Sequence, residues 1–134
     1  MAINLANNAT SKLAGSITAA STAISVQSGE GAKFPAPVSP NWFPVTLIDA
    51  SGNIEICKCT ARSGDILTVS RGQEGTTARA FSAGSRVSLR ITKAVLDYVF
   101  GVVDKLTGTN ISGFIKTLLD DADGPTACAT LGAL

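Results

Sequence analysis

Pro44-Val-Thr-Leu-Ile-Asp49, Ile54-Glu-Ile-Cys-Lys-Cys-Thr60 and Ile66-Leu-Thr-Val-Ser-Arg71 follow one another closely, each rich in apolar and β-branched residues. Ala50-Ser-Gly-Asn53 separates the first two, and Arg62-Ser-Gly-Asp65 the last two. Gly, Asn, Ser and Asp favour turns because they tolerate left-handed backbone or bond their own amides. The two turn clusters lie about 12–14 residues apart, the spacing of strands joined by tight connections. The stretch therefore reads as an antiparallel meander, and it sets the fold class.

The flanks extend the pattern. Downstream, the loop Gly72-Gln-Glu-Gly-Thr-Thr-Ala78 leads to Arg79-Ala-Phe81 and the turn Ser82-Ala-Gly-Ser85. Arg86-Val-Ser-Leu-Arg-Ile91 is then expected as a strand with Val87, Leu89 and Ile91 on one face. Upstream, Phe34–Pro44 carries four prolines and the aromatics Phe34, Trp42 and Phe43. Proline donates no ladder hydrogen bond, so this reads as a rigid crossing whose aromatics cap the core. Lys12–Ile17 and Ala23–Ser28 alternate with period two around Thr18-Ala-Ala-Ser-Thr22, which predicts a hairpin. Ser28-Gly-Glu-Gly-Ala32 lacks the third glycine, the Lys-Ser/Thr pair and the following helix of a phosphate cradle, and reads as a turn.

At Thr92 the period changes to 3.6. Thr92 is a suitable N-cap, and Lys93–Leu106 contains Gly101 as its one helix breaker. Leu96, Val99, Val103 and Leu106 form a heptad-like stripe, while Val95, Tyr98, Phe100 and Val102 make the other flank apolar. Such a helix, about 21 Å long, must be covered on both sides. A small sheet covers one side, so the other is expected to meet a second chain. Ile111–Leu119 continues with Ile111, Phe114 and Leu118, beside Ile115 and Leu119. The expected oligomer interface is Leu96, Val99, Val103, Leu106, Phe114 and Leu118. The architecture expected is mainly β: a small antiparallel β-barrel or sandwich, residues 1–91, followed by one or two C-terminal α-helices, residues 92–134.

Composition narrows function. The 134 residues are 45% hydrophobic and 16% charged, with a mean hydropathy of +0.28. Average soluble chains carry about 25% charged residues. The 11 basic and 10 acidic residues give a net charge of +1 with no basic run, which argues against nucleic acid and anionic membrane as partners. No apolar stretch reaches the ~20 residues of a membrane span, and Met1-Ala-Ile-Asn4 starts no signal peptide, so a reducing cytoplasm is the expected site of synthesis. Histidine is absent, which removes the commonest general base and zinc ligand. Cys57 and Cys59 share one strand face and read as small packing residues; with Cys128 alone to join them, a zinc site lacks ligands. Asp120, Asp121 and Asp123 lack the spacing and distal Glu of a calcium loop. Carboxylate pairs such as Glu55 with Asp49 or Asp65 have no distinguishing spacing. We expect no enzyme, no cofactor and no metal.

Ser28-Gly-Glu-Gly-Ala-Lys-Phe-Pro35, Asp49-Ala-Ser-Gly-Asn-Ile-Glu55 and above all Arg71-Gly-Gln-Glu-Gly-Thr-Thr-Ala-Arg-Ala80 resemble the N-terminal virion-attachment module of tail-fibre and baseplate-associated proteins of tailed bacteriophages. Leu118-Leu-Asp-Asp-Ala-Asp123 with Ala129-Thr-Leu-Gly132 resembles a short segment recurring downstream in such fibres, so the similarity spans about Asn7 to Leu131. The resemblance implies a structural virion protein made in the host cytoplasm. Its β-domain would dock on other tail or baseplate proteins, as a homotrimer, with helices leading toward a fibre. It also implies that the Cys57 and Cys59 positions are typically aliphatic. Such fibres continue into long repeats and a receptor-binding tip; a chain stopping at Leu134 reads as an adaptor or as the ordered part of something longer. Arg71, Gln73, Glu74, Thr76 and Arg79 would then form a docking loop; a loop satisfied by its own bonds, with Arg71 and Arg79 flanking Glu74, is the competing reading. The alternative function is a carbohydrate- or host-surface-binding module using Trp42, Phe43 and Asp120–Asp123.

Overall fold

A computed structural model describes residues 2–105, with side chains through Val103. It divides the chain into a β-unit, Met1–Val95, and a second unit that begins at Leu96. The architecture is mainly β: six antiparallel strands in a curled half-barrel sheet, followed by one helix. The strands are β1 (Thr10–Lys12), β2 (Ala23–Ser25), β3 (Phe43–Ile48), β4 (Ile54–Ser63), β5 (Ile66–Gln73) and β6 (Arg86–Ser88), and the helix is α1 (Lys93–Lys105). The predicted Leu106, Phe114 and Leu118, the acidic turn and Cys128 lie outside the described residues.

The central meander forms as its turns dictate, β3 on β4 from Phe43↔Cys59 to Ile48↔Ile54 and β4 on β5 down to Ser63↔Ile66. Gly64 at φ 58° supplies the left-handed backbone that the two-residue β4–β5 turn requires. Pro44 lies inside β3, yet β6 pairs with β3 only from Thr46 to Ile48. At Pro44 the strand has one neighbour, so its missing N–H breaks no ladder. Inward residues alternate along each strand: Val45 and Leu47, Cys57 and Cys59, Leu67 and Val69, all buried in one core with Phe34, Phe43 and Phe81. The rings of Phe34 and Phe43 stack at 6.3 Å with an interplanar angle of 21°, so the proline-rich crossing does close one side of the core.

The expected N-terminal hairpin forms in part: its two segments pair antiparallel at Leu13↔Val26, while their longer ladders run to other strands. The sheet order is β1-β6-β3-β4-β5-β2, which places β1 and β2 at opposite edges. They meet only where the curl brings the edges together, at a Leu13↔Val26 bridge flanked by Ala14 N to Ser25 O (2.9 Å) and Gln27 N to Lys12 O (3.1 Å). Leu13, Ile17, Ile24 and Val26 are all buried, as their alternation predicts. Alternation fixes the face a side chain takes, not the neighbour its strand finds. The last strand is also shorter than expected: β6 ends at Ser88, and Ile91 is 66% exposed.

Asp65, in the β4–β5 turn, clamps the Gly-rich loop by accepting from the amides of Gly29 (3.0 Å) and Gly31 (2.8 Å). These bonds hold its carboxyl below the usual range. A Cβ at Gly31 would overlap the Gly64 carbonyl oxygen and come within 2.7 Å of Asp65 Cα. Gly31→Ala is therefore expected to cost about 1–3 kcal/mol, the usual cost of overpacking. Chemical denaturation reads this directly, and a variant as stable as the parent would show that the turn yields freely.

Candidate functional site

Two charged residues occupy inward positions of the core. Glu55 precedes Cys57 and Cys59 on the inward face of β4, and Arg71 follows Leu67 and Val69 on that of β5. Between Ile56↔Gln73 and Lys58↔Ser70 the register of β5 gains one residue. This bulge lies at Arg71–Gly72, with Gly72 at φ 59°, and such bulges re-aim the side chains beside them. The Glu55 side chain is 0% exposed and that of Arg71 6%.

Arg71 uses all five of its N–H groups. Nε donates to Glu55 Oε2 (2.7 Å) and Nη2 to Glu55 Oε1 (2.8 Å), a bidentate pair. Nη2 also reaches Arg79 O (2.6 Å), while Nη1 donates to Thr18 O (2.7 Å) and Ser21 O (2.9 Å). Glu55 accepts further bonds from the amides of Gly72 and Arg79 (3.0 Å each) and the thiol of Cys57 (3.3 Å). Burial alone would raise the Glu55 pKa, but the Arg71 guanidinium and the two amides outweigh it and hold the carboxyl below its ordinary range. Its bond to Glu55 holds Arg71 in the charged form. One ion pair thus ties together β4, β5, the 18–21 turn and both ends of the 72–79 loop.

The rest of the loop is bonded to its own chain. Glu74 (φ 54°) and Gly75 (φ 79°) are consecutive left-handed residues, and Thr76 N donates to Gln73 O at 3.0 Å, the pattern of a type I′ turn. Thr76 Oγ1 accepts from Ile56 N (3.0 Å) and donates to Gln73 O (2.6 Å), and Gln73 Nε2 donates to Arg71 O (2.9 Å). Arg71 and Arg79 do not clamp Glu74 as the charge order implied. Glu74 Oε1 instead accepts from the amide of Ala94, at 2.9 Å, in the first turn of α1. The expected cap is corrected as well: Thr92 Oγ1 is buried with no hydrogen-bond partner. A carboxylate twenty residues away takes the cap's place, favoured there by the positive end of the helix dipole. Of the five candidate docking side chains, Arg79 alone is exposed with no hydrogen bond from its guanidinium among the described residues.

Cys57 and Cys59 are free and buried. Burial pushes the Cys57 thiol up to about 12, with the Glu55 charge adding to it, and burial pushes Cys59 up to about 11. Neither is a thiolate nucleophile at neutral pH. Among the described residues no three His, Cys, Asp or Glu side chains cluster as metal ligands, and no helix is long and apolar enough to cross a membrane. Phe43 is fully buried, so it offers no face to a sugar. The Trp42 ring lies under Lys58 Nζ, 5.1 Å from its centroid.

On α1, Leu96, Val99, Phe100 and Val103 are exposed by 45–64%. Their spacing of i, i+3, i+4 and i+7 puts all four on one stripe about 100° wide. Phe100 therefore joins the stripe rather than the opposite flank. Val95, at the end of the β-unit, is buried. No protein-family model and no curated protein sequence matches the chain.

Breaking a buried ion pair leaves an uncompensated charge and costs about 3–5 kcal/mol. Glu55→Gln is expected to lose that much in urea denaturation. Arg71→Lys keeps the charge but replaces five donors on a planar fork by three on one point, and is expected to lose about 1–3 kcal/mol. A lowered folded pKa means that the stabilisation by Glu55 is complete above the unfolded value, about 4.3, and fades as pH falls through the folded one. Stability should hold from pH 7 to about 5 and fall below about 4, more shallowly in Glu55→Gln; a pH-independent midpoint would contradict the role given to the pair. Glu74→Gly relieves about 1 kcal/mol of left-handed strain and removes a cap worth about 1 kcal/mol. Overall stability should barely change while the Ala94 amide loses hydrogen-exchange protection; retained protection would assign the cap to another group.

Proposed function

We propose that the chain is a structural component of a bacteriophage tail that self-associates through α1, as a homotrimer, and joins fibres to tail or baseplate proteins by non-catalytic contacts in the virion. The observation that carries this reading is the exposed apolar stripe Leu96–Val99–Phe100–Val103. Monomeric soluble proteins rarely leave such contiguous patches uncovered, and a helical stripe of this spacing suits packing against copies of itself. The resemblance of the Arg71–Ala80 string to tail-attachment modules supports the setting. The extensive internal bonding of that string supports a rigid platform rather than a reactive site, with the exposed Arg79 and Thr77 as its outward contacts. Trimerisation also gives the low overall charge a purpose, since apolar residues of the C-terminal third would be covered by neighbouring copies.

Light scattering on the purified chain tests the reading. The parent protein is expected to run as a trimer at micromolar concentration, and Val99→Asp as a monomer that keeps its β-sheet circular dichroism. A monomeric parent would overturn the proposal. Loss of β-signal in Val99→Asp would assign the stripe to the core instead.

A further inference from the structure

The outer face of the sheet holds a pairing that its own ladder disfavours. Register sets Lys12 of β1 directly opposite Arg86 of β6, and like charges so placed repel. Both residues are exposed, and neither side chain has a hydrogen-bond or ion-pair partner among the described residues. The pair separates two grooves and lines both. One, of about 590 Å³, is walled by Ile48, Asp49, Ser82 and Ser85 besides the pair. The other, of about 490 Å³, adds Thr10, Gln27, Glu30 and Lys33.

The acidic groups nearby are already bonded. Asp49 Oδ1 accepts from the amides of Ser51 (3.0 Å) and Asn53 (2.8 Å), and its Oδ2 from Asn53 Nδ2 (2.8 Å). Glu30 accepts from Lys33 Nζ (2.7 Å) and from the hydroxyl of Ser11. Charge on a larger scale points the same way. The near-neutral whole conceals nine basic against five acidic residues up to Val95, and two against five from Leu96 onward. All five carboxylates of the β-unit, Glu30, Asp49, Glu55, Asp65 and Glu74, serve as acceptors within it.

We infer that the Lys12–Arg86 pair binds the phosphate monoester of a small hydroxylated molecule, a sugar phosphate. A dianion offsets two facing cations, and a guanidinium fork beside a mobile ammonium is the usual donor set for phosphate. Each groove lies in the range of about 300–1,000 Å³ typical of small-ligand sites. That is more room than the phosphate fills, and Ser82 and Ser85 in one groove and Thr10 and Gln27 in the other offer hydroxyls and an amide, beside the bonded carboxylates of Asp49 and Glu30.

Titration of the full chain with glucose 6-phosphate, inorganic phosphate and glucose, at matched ionic strength, tests the assignment by calorimetry and thermal shift. Glucose 6-phosphate is expected to bind saturably and raise the melting temperature, inorganic phosphate to bind at least several-fold more weakly, and glucose alone to do neither. Lys12→Ala and Arg86→Ala should each weaken binding at least tenfold. Without ligand each should melt no lower than the parent, because the repulsion has gone. Lys12→Gln serves if the alanine variant folds poorly. Absent saturation, an equal response to glucose or to added chloride, or unaltered binding by the variants would overturn the site. Inorganic phosphate binding as tightly as the sugar phosphate would overturn its assignment to a sugar.

Discussion

The bidentate pair of Glu55 and Arg71 is the constraint on which the β-unit turns. A carboxylate and a guanidinium placed in an apolar core destabilise it unless every lone pair and N–H finds a partner. Here they do, because the bulge at Arg71–Gly72 swings the guanidinium onto three backbone carbonyls as well as Glu55. Around the pair the 18–21 turn lies on the Arg71 side and the amides of Gly72 and Arg79 on the Glu55 side. These directional bonds tie the loop's two ends to the core at fixed points. That makes Arg71, in the Arg71–Ala80 string, a structural requirement first.

The same loop also bonds the first turn of α1, through Glu74 and the amide of Ala94. Glu74 holds a left-handed conformation that other side chains avoid, and its carboxylate accepts from the first turn of α1. A strained residue aimed at a helix start couples the two elements. Acidic residues of the β-unit are used in this manner throughout, as clamps on turns and amides.

Much of the molecule was legible in its residues. The meander, its turns, the inward Leu, Val and Cys positions and the change of period at Thr92 follow from short-range rules, since pleat and helical period are local properties. Glu55 was visible too, as a charge standing where the alternation of β4 calls for an apolar side chain, a signal read only as a stray carboxylate. Its partner could not be deduced: Arg62, Arg71 and Arg79 are equally basic in sequence.

What the sequence determined by itself was the β class of the N-terminal part, the faces of its strands and the apolar stripe of the helix. Only the tertiary structure decided which strands are neighbours, with β1 and β2 at opposite edges until the curl joins them at Leu13 and Val26. It also decided that Arg71 belongs to Glu55, that Glu74 rather than Thr92 serves the helix start, and that Lys12 faces Arg86. These are contacts between residues 13 to 74 positions apart. Periodicity carries no information about them, because they are set by sheet curvature and by the requirement that buried charge be fully bonded.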